Sequence, residues 1–227
     1  MESDVTDRLV IVGGGQAAFA LAAKLRALKD MRPVTILSVE PVAPYQRPPL
    51  SKKYLLGEME FSRLLFRPDT WYADNEVELR LSAFVEHIDP KTRRVRLQDG
   101  SFVDYGTLVL ATGATPRHLP AALGGDLQGV YVMRDKRDAD RLAGEMQAGR
   151  RALIIGGGYI GLEAASEAAK KGVAVTVIEA ADRILKRVAC AETADDIRAL
   201  HEAHGVRILE GAQIHEIHES NGIADGV

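Results

Sequence analysis

Two clusters of small residues, each followed by an acid, carry the clearest chemistry in this sequence. Gly13, Gly15 and Ala18 have the spacing G-x-G-x-x-A, and Gly156, Gly158 and Gly161 the spacing G-x-G-x-x-G. Such spacing suits a dinucleotide pyrophosphate. The first glycine makes a tight turn, the second removes the Cβ that would block a phosphate, and the third small residue lets helix and strand pack closely. The free amides and the dipole at a helix N-terminus favour the negative charge. With the helix openings Gln16-Ala17 and Tyr159-Ile160, the two clusters are candidate cofactor-binding segments. Glu40 and Glu179 stand where each can accept hydrogen bonds from an adenosine ribose. Glu179 is followed by Ala180 and Ala181, not by arginines, which favours NADH over NADPH, while Arg183 and Arg187 lie close enough to soften that preference.

A lone glycine pattern is a weak signal, and the elements around it make it specific. Arg8–Val12 and Ala152–Ile155 are β-branched runs that lead into the two clusters. Alanine-rich helical stretches follow, Gln16–Lys29 and Tyr159–Lys171, and then further β-branched runs, Val34–Val39 and Ala174–Ile178, that end at the two acids. One β-turn-α-β-acid unit is thus used twice, about 140 residues apart. The expected fold class is α/β, with two Rossmann-like three-layer nucleotide-binding domains of the FAD/NAD(P)-binding kind. The expected division is 1–113 for the first domain and 114–227 for the second.

Between the units, the proline-rich Pro41–Leu50 excludes regular helix and central strand. Short strands are expected at Glu78–Leu81, Phe84–Ile88, Arg93–Leu97 and Leu108–Ala111, with a turn at Gln98–Ser101 before Phe102-Val103. Helices are expected over Lys136–Gln147 and Ala191–His204, and a strand at Val206–Leu209. Gln213–His218 reads as the first arm of a hairpin turning at Ser220–Gly222, with its partner strand barely begun.

Composition narrows the classes. A net charge of −3 over 227 residues gives no global drive toward nucleic acid or an anionic membrane. No apolar run approaches the roughly 20 residues of a bilayer-spanning helix. The acidic start, MESDVTDRLVIVGGG, lacks the cationic and apolar regions of a signal peptide, so the expected location is the cytoplasm. The single cysteine, Cys190, excludes an intrachain disulfide and a two-cysteine redox centre, so redox chemistry here must use a bound cofactor. Cys190 itself reads as an inert packing residue. His201, His204, His215 and His218 lack the companions that would complete a zinc site, and no metal is expected.

The run Tyr45-Gln46-Arg47-Pro48-Pro49-Leu50-Ser51-Lys52 resembles the Y-x-R-P-P-L-S-K signature of NADH-dependent ferredoxin reductases, the reductase components of oxygenase systems, to which putidaredoxin and rubredoxin reductases are related. Leu110–Arg117 is similar to the A-T-G-x-x-P-R segment of that family, and Gly156–Glu163 (GGGYIGLE) to its NAD loop. The resemblance implies FAD in the first unit and NADH in the second. It implies Lys52 beside the flavin ring with Glu163 close to it, both as catalytic candidates. Arg47, Pro48, Val85, Ala111, Thr112, Gly113 and Arg134 are implied as further FAD contacts. A lysine ammonium there would offset negative charge gathering on reduced flavin.

The disulfide reductases, peroxidases and oxidases of this fold carry cysteine just after the first acid, where Pro41–Lys52 has none. Electrons would therefore leave for an external acceptor, which the resemblance implies is a small ferredoxin or similar iron–sulfur protein. Lys53, Arg63, Arg67, Arg93, Arg94 and Arg96 are available to meet an acidic partner. The alternatives are an NADH oxidase or diaphorase-like flavoenzyme, and a non-enzymatic redox module like the apoptosis-inducing factors. The latter use strong basic patches that this acidic balance lacks. The family chain is longer, so a C-terminally truncated form is expected here, without the returning FAD segment and the C-terminal interface domain.

Overall fold

The computed structural model describes residues 7–227; the first six residues of the acidic start read above as lacking a signal peptide lie outside the described residues. The chain forms two compact units. One comprises residues up to Gln46 together with Phe61–Ala114, and the other Arg47–Glu60 together with Thr115–Val227. A single boundary at 113/114 does not anticipate that the Arg47–Glu60 segment packs with the second unit.

In the first unit, β1 (Leu9–Val12) is buried along its whole length, as the continuous LVIV run requires of a strand covered on both faces. The chain turns at Gly13 and enters α1 (Gln16–Ala27), whose last turn carries Lys24 and Arg26 against the negative end of the helix dipole. β2 (Val34–Leu37) returns parallel to β1, with Leu9 opposite Val34 and Val12 opposite Leu37. The short α2 (Asp69–Asp74) follows Pro68 and leads to β3 (Val77–Arg80), parallel to β2. An antiparallel meander, β4 (Val85–Asp89), β5 (Arg94–Leu97) and β6 (Phe102–Asp104), precedes β7 (Thr107–Leu110). β7 pairs parallel with β1, giving the order β3-β2-β1-β7. Strand order thus reverses at β1, and in open α/β sheets ligands bind at the carboxyl ends beside such a switch point. Leu9, Ile11, Ala18, Ala22, Val34, Ile36, Tyr72 and Val77 form the core beneath α1.

In the second unit, α3 (Lys136–Glu145) opens with a reciprocal capping box between Asp135 and Asp138. It is followed by β8 (Arg151–Ile155), α4 (Tyr159–Lys170), β9 (Ala174–Ile178), α5 (Ala191–Ala203) and β10 (Arg207–Leu209). The three strands are parallel in the order β10-β9-β8. Ala165, Ala168, Val173, Val175, Val177 and Val206 fill the core, and Leu55 from the Arg47–Glu60 segment is buried among them. Lys171 Nζ donates to the Leu55 carbonyl at 3.0 Å, and Tyr54 Oη to Asp140 Oδ1 at 2.6 Å, which fastens that segment to α4 and α3.

Two expectations are corrected. The hairpin arm expected at Gln213–His218 is instead β11 (His218–Ser220), and its partner β12 (Ile223–Gly226) is formed and paired with it. Asn221 and Gly222, both at positive φ, make the tight turn, so pairing begins nearer the turn than the apolar pattern suggested. Cys190 is exposed, not packed: it stands at the N-cap position of α5 without a side-chain bond to the helix backbone, its Sγ 3.1 Å from Thr193 Oγ1.

Candidate functional site

The first glycine loop runs from the C-terminal end of β1 to the first turn of α1. Gly13 has a φ of +116°, and a Cβ there would lie 2.1 Å from the Ala111 carbonyl oxygen and 3.1 Å from Thr112 Cα. Backbone conformation and the close approach of the Ala111-Thr112 strand end both demand glycine. A Cβ at Gly14 would lie 2.2 Å from Ser38 Oγ. Gly15, by contrast, has an extended backbone, and a Cβ there would meet no atom within 4 Å. Gly15 therefore faces open space in front of the α1 amides, with Gln16 and Ala17 exposed beside it and Ala18 buried below. This is the room a pyrophosphate needs.

The second loop repeats the turn, although a Cβ at its first glycine, Gly156, would meet nothing within 4 Å. Gly156 sits at a φ of +108°, and a Cβ at Gly157 would meet Ile184 Cγ2 at 2.5 Å. A Cβ at Gly161 would lie 2.1 Å from the Gly156 carbonyl oxygen, so the third glycine is a packing requirement. Gly158, like Gly15, meets nothing within 4 Å. Gly158, Tyr159 and Ile160 are exposed and line one broad concavity with Gly156, Gly161 and Glu179.

The two acids are held differently. Glu40 is buried and accepts a 2.6 Å hydrogen bond from Tyr45 Oη through its Oε2. Glu179 accepts from the backbone: Gly157 N–H donates to Oε2 and Ala181 N–H to Oε1, each at 2.8 Å. Two charge-assisted bonds fix this carboxylate at the end of β9. Lys186 and Arg187 line the same concavity as Glu179.

The segment rich in prolines forms a 3-10 turn over Pro48–Ser51, seeded by Pro48 and Pro49 with their fixed φ. It delivers Lys52 to Glu163 on α4, with Lys52 Nζ 2.8 Å from Glu163 Oε1. Ser51 Oγ donates to the other oxygen, Oε2, at 2.6 Å. Arg47 Nη1 donates to the Arg134 carbonyl at 2.9 Å, which gathers Arg47, Pro48, Lys52, Arg134 and Glu163 in one unit. Val85, on β4, is partly buried against the core of the first unit. Thr112 and Gly113 are exposed just beyond β7.

Sequence reasoning missed four participants. Tyr45 and Ser51 lay inside the quoted signature run without a role, and only their contacts with Glu40 and Glu163 supply one. Gly14 and Gly157 sat between the fingerprint positions, although the triple glycine in each loop was a visible signal. Among the described residues no three His, Cys, Asp or Glu side chains group as a metal site, and no helix is long and apolar enough to cross a membrane.

Residues 7–226 match the family model described as pyridine nucleotide-disulphide oxidoreductase. The chain is 42% identical over 200 residues to a ferredoxin–NAD(P)(+) reductase of a Sphingomonas species, covering 88% of this chain and 48% of that protein. It is 39% identical over 214 residues to a rubredoxin–NAD(+) reductase of Pseudomonas putida, covering 94% and 55%. The reductase in a crystal structure of a covalent putidaredoxin reductase–putidaredoxin complex superposes with a TM-score of 0.91 at 36% identity, covering 95% of this chain and 52% of that one. The chain spans about half the length of the curated relatives it matches.

Proposed function

The chain belongs to the pyridine nucleotide-disulphide oxidoreductase family, and from that premise we propose that it serves a cytoplasmic flavoprotein reductase passing electrons from NADH through FAD to a small iron–sulfur protein of an oxygenase system. Relatives named as ferredoxin and rubredoxin reductases, and the putidaredoxin complex, support the electron acceptor. The observation that carries the reading is the contact between Lys52 and Glu163 at 2.8 Å. It brings the R-P-P-L-S-K segment and the second glycine-loop helix together at one spot.

FAD, when bound, would supply the change from two-electron to one-electron chemistry. The protein's residues bind and orient. Residues 1–113 would hold FAD: Gly13, Gly15 and the amides of Gln16, Ala17 and Ala18 cradle its pyrophosphate, and Glu40 receives the adenosine ribose. Val85, Ala111, Thr112 and Gly113 would flank it, joined by Arg47, Pro48 and Arg134. The segment 114–227 would hold NADH. Gly156, Gly158, Tyr159, Ile160 and Gly161 receive its pyrophosphate, and Glu179 receives the ribose and repels a 2′-phosphate. Lys52 would supply positive charge beside a bound flavin ring, and Glu163 would hold the ammonium in place.

The absence of cysteine between Pro41 and Lys52 favours an external acceptor over an internal disulfide. An absorbance spectrum of the intact gene product, followed by anaerobic titration with NADH and then NADPH, tests the donor and the cofactor. A flavin band bleached by NADH and far more slowly by NADPH is the expected result. Turnover on addition of a ferredoxin, compared with oxygen alone, tests the acceptor. A colourless protein, or oxidation of NADH indifferent to ferredoxin, overturns the proposal.

A further inference from the structure

The Glu163 carboxylate is shared between two consecutive residues: Oε2 takes the Ser51 hydroxyl at 2.6 Å and Oε1 faces Lys52 Nζ at 2.8 Å. The two contacts differ in setting. The Lys52 and Glu163 side chains are 44% and 30% exposed, and both line an open surface pocket with Tyr159 and His201. An ion pair so open to water, made by two long side chains, is held only weakly by its own attraction. Ser51 is 5% exposed, has one side-chain torsion to fix, and closes a 3-10 turn whose first two residues are prolines. The rigid partner therefore dictates the geometry, and the flexible pair adopts it.

We propose that Ser51 is a positioning residue for the Lys52–Glu163 pair: its buried hydroxyl aims the Glu163 carboxylate so that the second oxygen meets Lys52. The inference rests on the proposed reading of that pair as the flavin-side charge arrangement, and it assigns Ser51 no contact with a cofactor. Without the hydroxyl, Glu163 is free to swing toward solvent, and Lys52 keeps only the 3.4 Å contact of its Nζ with the Pro48 carbonyl, too long to fix the ammonium. The lysine is then present but misplaced, which slows electron arrival at the flavin without weakening the hold on either nucleotide.

The test is a double-mutant cycle in the intact gene product, using Ser51→Ala, Glu163→Ala and the pair together. In stopped-flow bleaching by NADH, Ser51→Ala is expected to slow the flavin step about tenfold, the loss of one hydrogen bond to a charged group. Flavin content and the NADH concentration at half-maximal rate stay unchanged, and Ser51→Ala adds nothing in the Glu163→Ala background. Thermal unfolding of the same four proteins gives a readout that needs no turnover: the Tm loss from Ser51→Ala shrinks when Glu163 is already absent. If Ser51→Ala does not fold, Ser51→Cys, of nearly the same shape but a poor donor, takes its place in the cycle. A full Ser51→Ala cost that persists beside Glu163→Ala, in rate and in Tm, overturns the proposal, as does an unchanged bleaching rate in Ser51→Ala. If the unsubstituted protein holds no flavin, the functional reading fails, and the Tm cycle alone then decides whether Ser51 positions Glu163.

Discussion

Tyr45 donates its phenolic hydrogen to Glu40 at 2.6 Å, with the two residues only 3% and 7% exposed. A buried carboxylate is costly unless it is hydrogen-bonded, so this contact both pays for the burial of Glu40 and fixes its direction. If Glu40 reads an adenosine ribose, Tyr45→Phe lowers FAD affinity by about tenfold, the loss of one hydrogen bond to a charged group. FMN, which has no adenosine, loses nothing. Fluorescence titration with both flavins checks this, and an equal loss for FAD and FMN refutes it.

The glycines of each loop divide into those the fold needs and those that face open space. Gly13→Ala combines a positive φ with a 2.1 Å approach to the Ala111 carbonyl, so it destabilises the apoprotein by about 2 kcal/mol or more. Gly15→Ala, with nothing within 4 Å, leaves apoprotein stability nearly unchanged and instead weakens FAD binding at least tenfold, roughly the cost of one lost phosphate contact. Gly157→Ala and Gly158→Ala repeat the contrast for NADH, because only Gly157 faces a neighbour, Ile184 Cγ2 at 2.5 Å. Urea midpoints without cofactor, compared with binding titrations, separate the two classes.

On the proposed reading donor choice rests on Glu179, whose oxygens are pinned by the Gly157 and Ala181 amides. Glu179→Ala removes the like charge that opposes a 2′-phosphate and leaves Lys186 and Arg187 on the rim of the same concavity. The ratio of kcat/KM for NADH over NADPH is expected to fall by about tenfold or more. A ratio unmoved by Glu179→Ala shows that discrimination lies elsewhere.

One histidine makes stability depend on pH. Burial, and secondly the neighbouring His204, lower the pKa of His201 below its ordinary value of 6.5. The folded state therefore binds this proton less readily than the unfolded chain. Its stability contribution is complete above the unfolded value and is lost as pH falls from there through the lower folded value. Urea midpoints measured from about pH 7.5 to about pH 5 should decline less steeply in His201→Gln than in the unsubstituted protein. Parallel declines contradict the assignment.

The local parts of this design were legible before any coordinates. A β-turn-α-β-acid unit is encoded within about 30 residues, so both glycine loops, their helices and the acids Glu40 and Glu179 could be read from spacing alone. Element ends in these units moved by a residue or two: the strand expected at Ala174–Ile178 is β9 as read, and the helix expected over Lys136–Gln147 ends at Glu145. Contacts between distant stretches were not legible in spacing. The signature run around Lys52 was recognisable as a motif, yet nothing in its spacing says that it packs with the second unit. The hairpin arm was misplaced because weak alternation in Gln213–His218 competes with a turn at Asn221-Gly222, and the turn geometry sets the register.

By itself, the sequence determined where phosphates can approach the backbone, because positive φ and a missing Cβ are properties of single residues in short loops. It also excluded an internal cysteine pair after the first acid. Tertiary structure alone decided which distant groups hold two of the candidate acids, Glu163 and Glu179. Ser51 and Lys52 divide Glu163, on a helix far along the chain, and the Gly157 amide of the second loop takes Glu179. The physical reason is directional: a hydrogen bond forms only when donor and acceptor converge to about 3 Å with proper alignment. Convergence across distant chain segments is set by core packing, which no local pattern records.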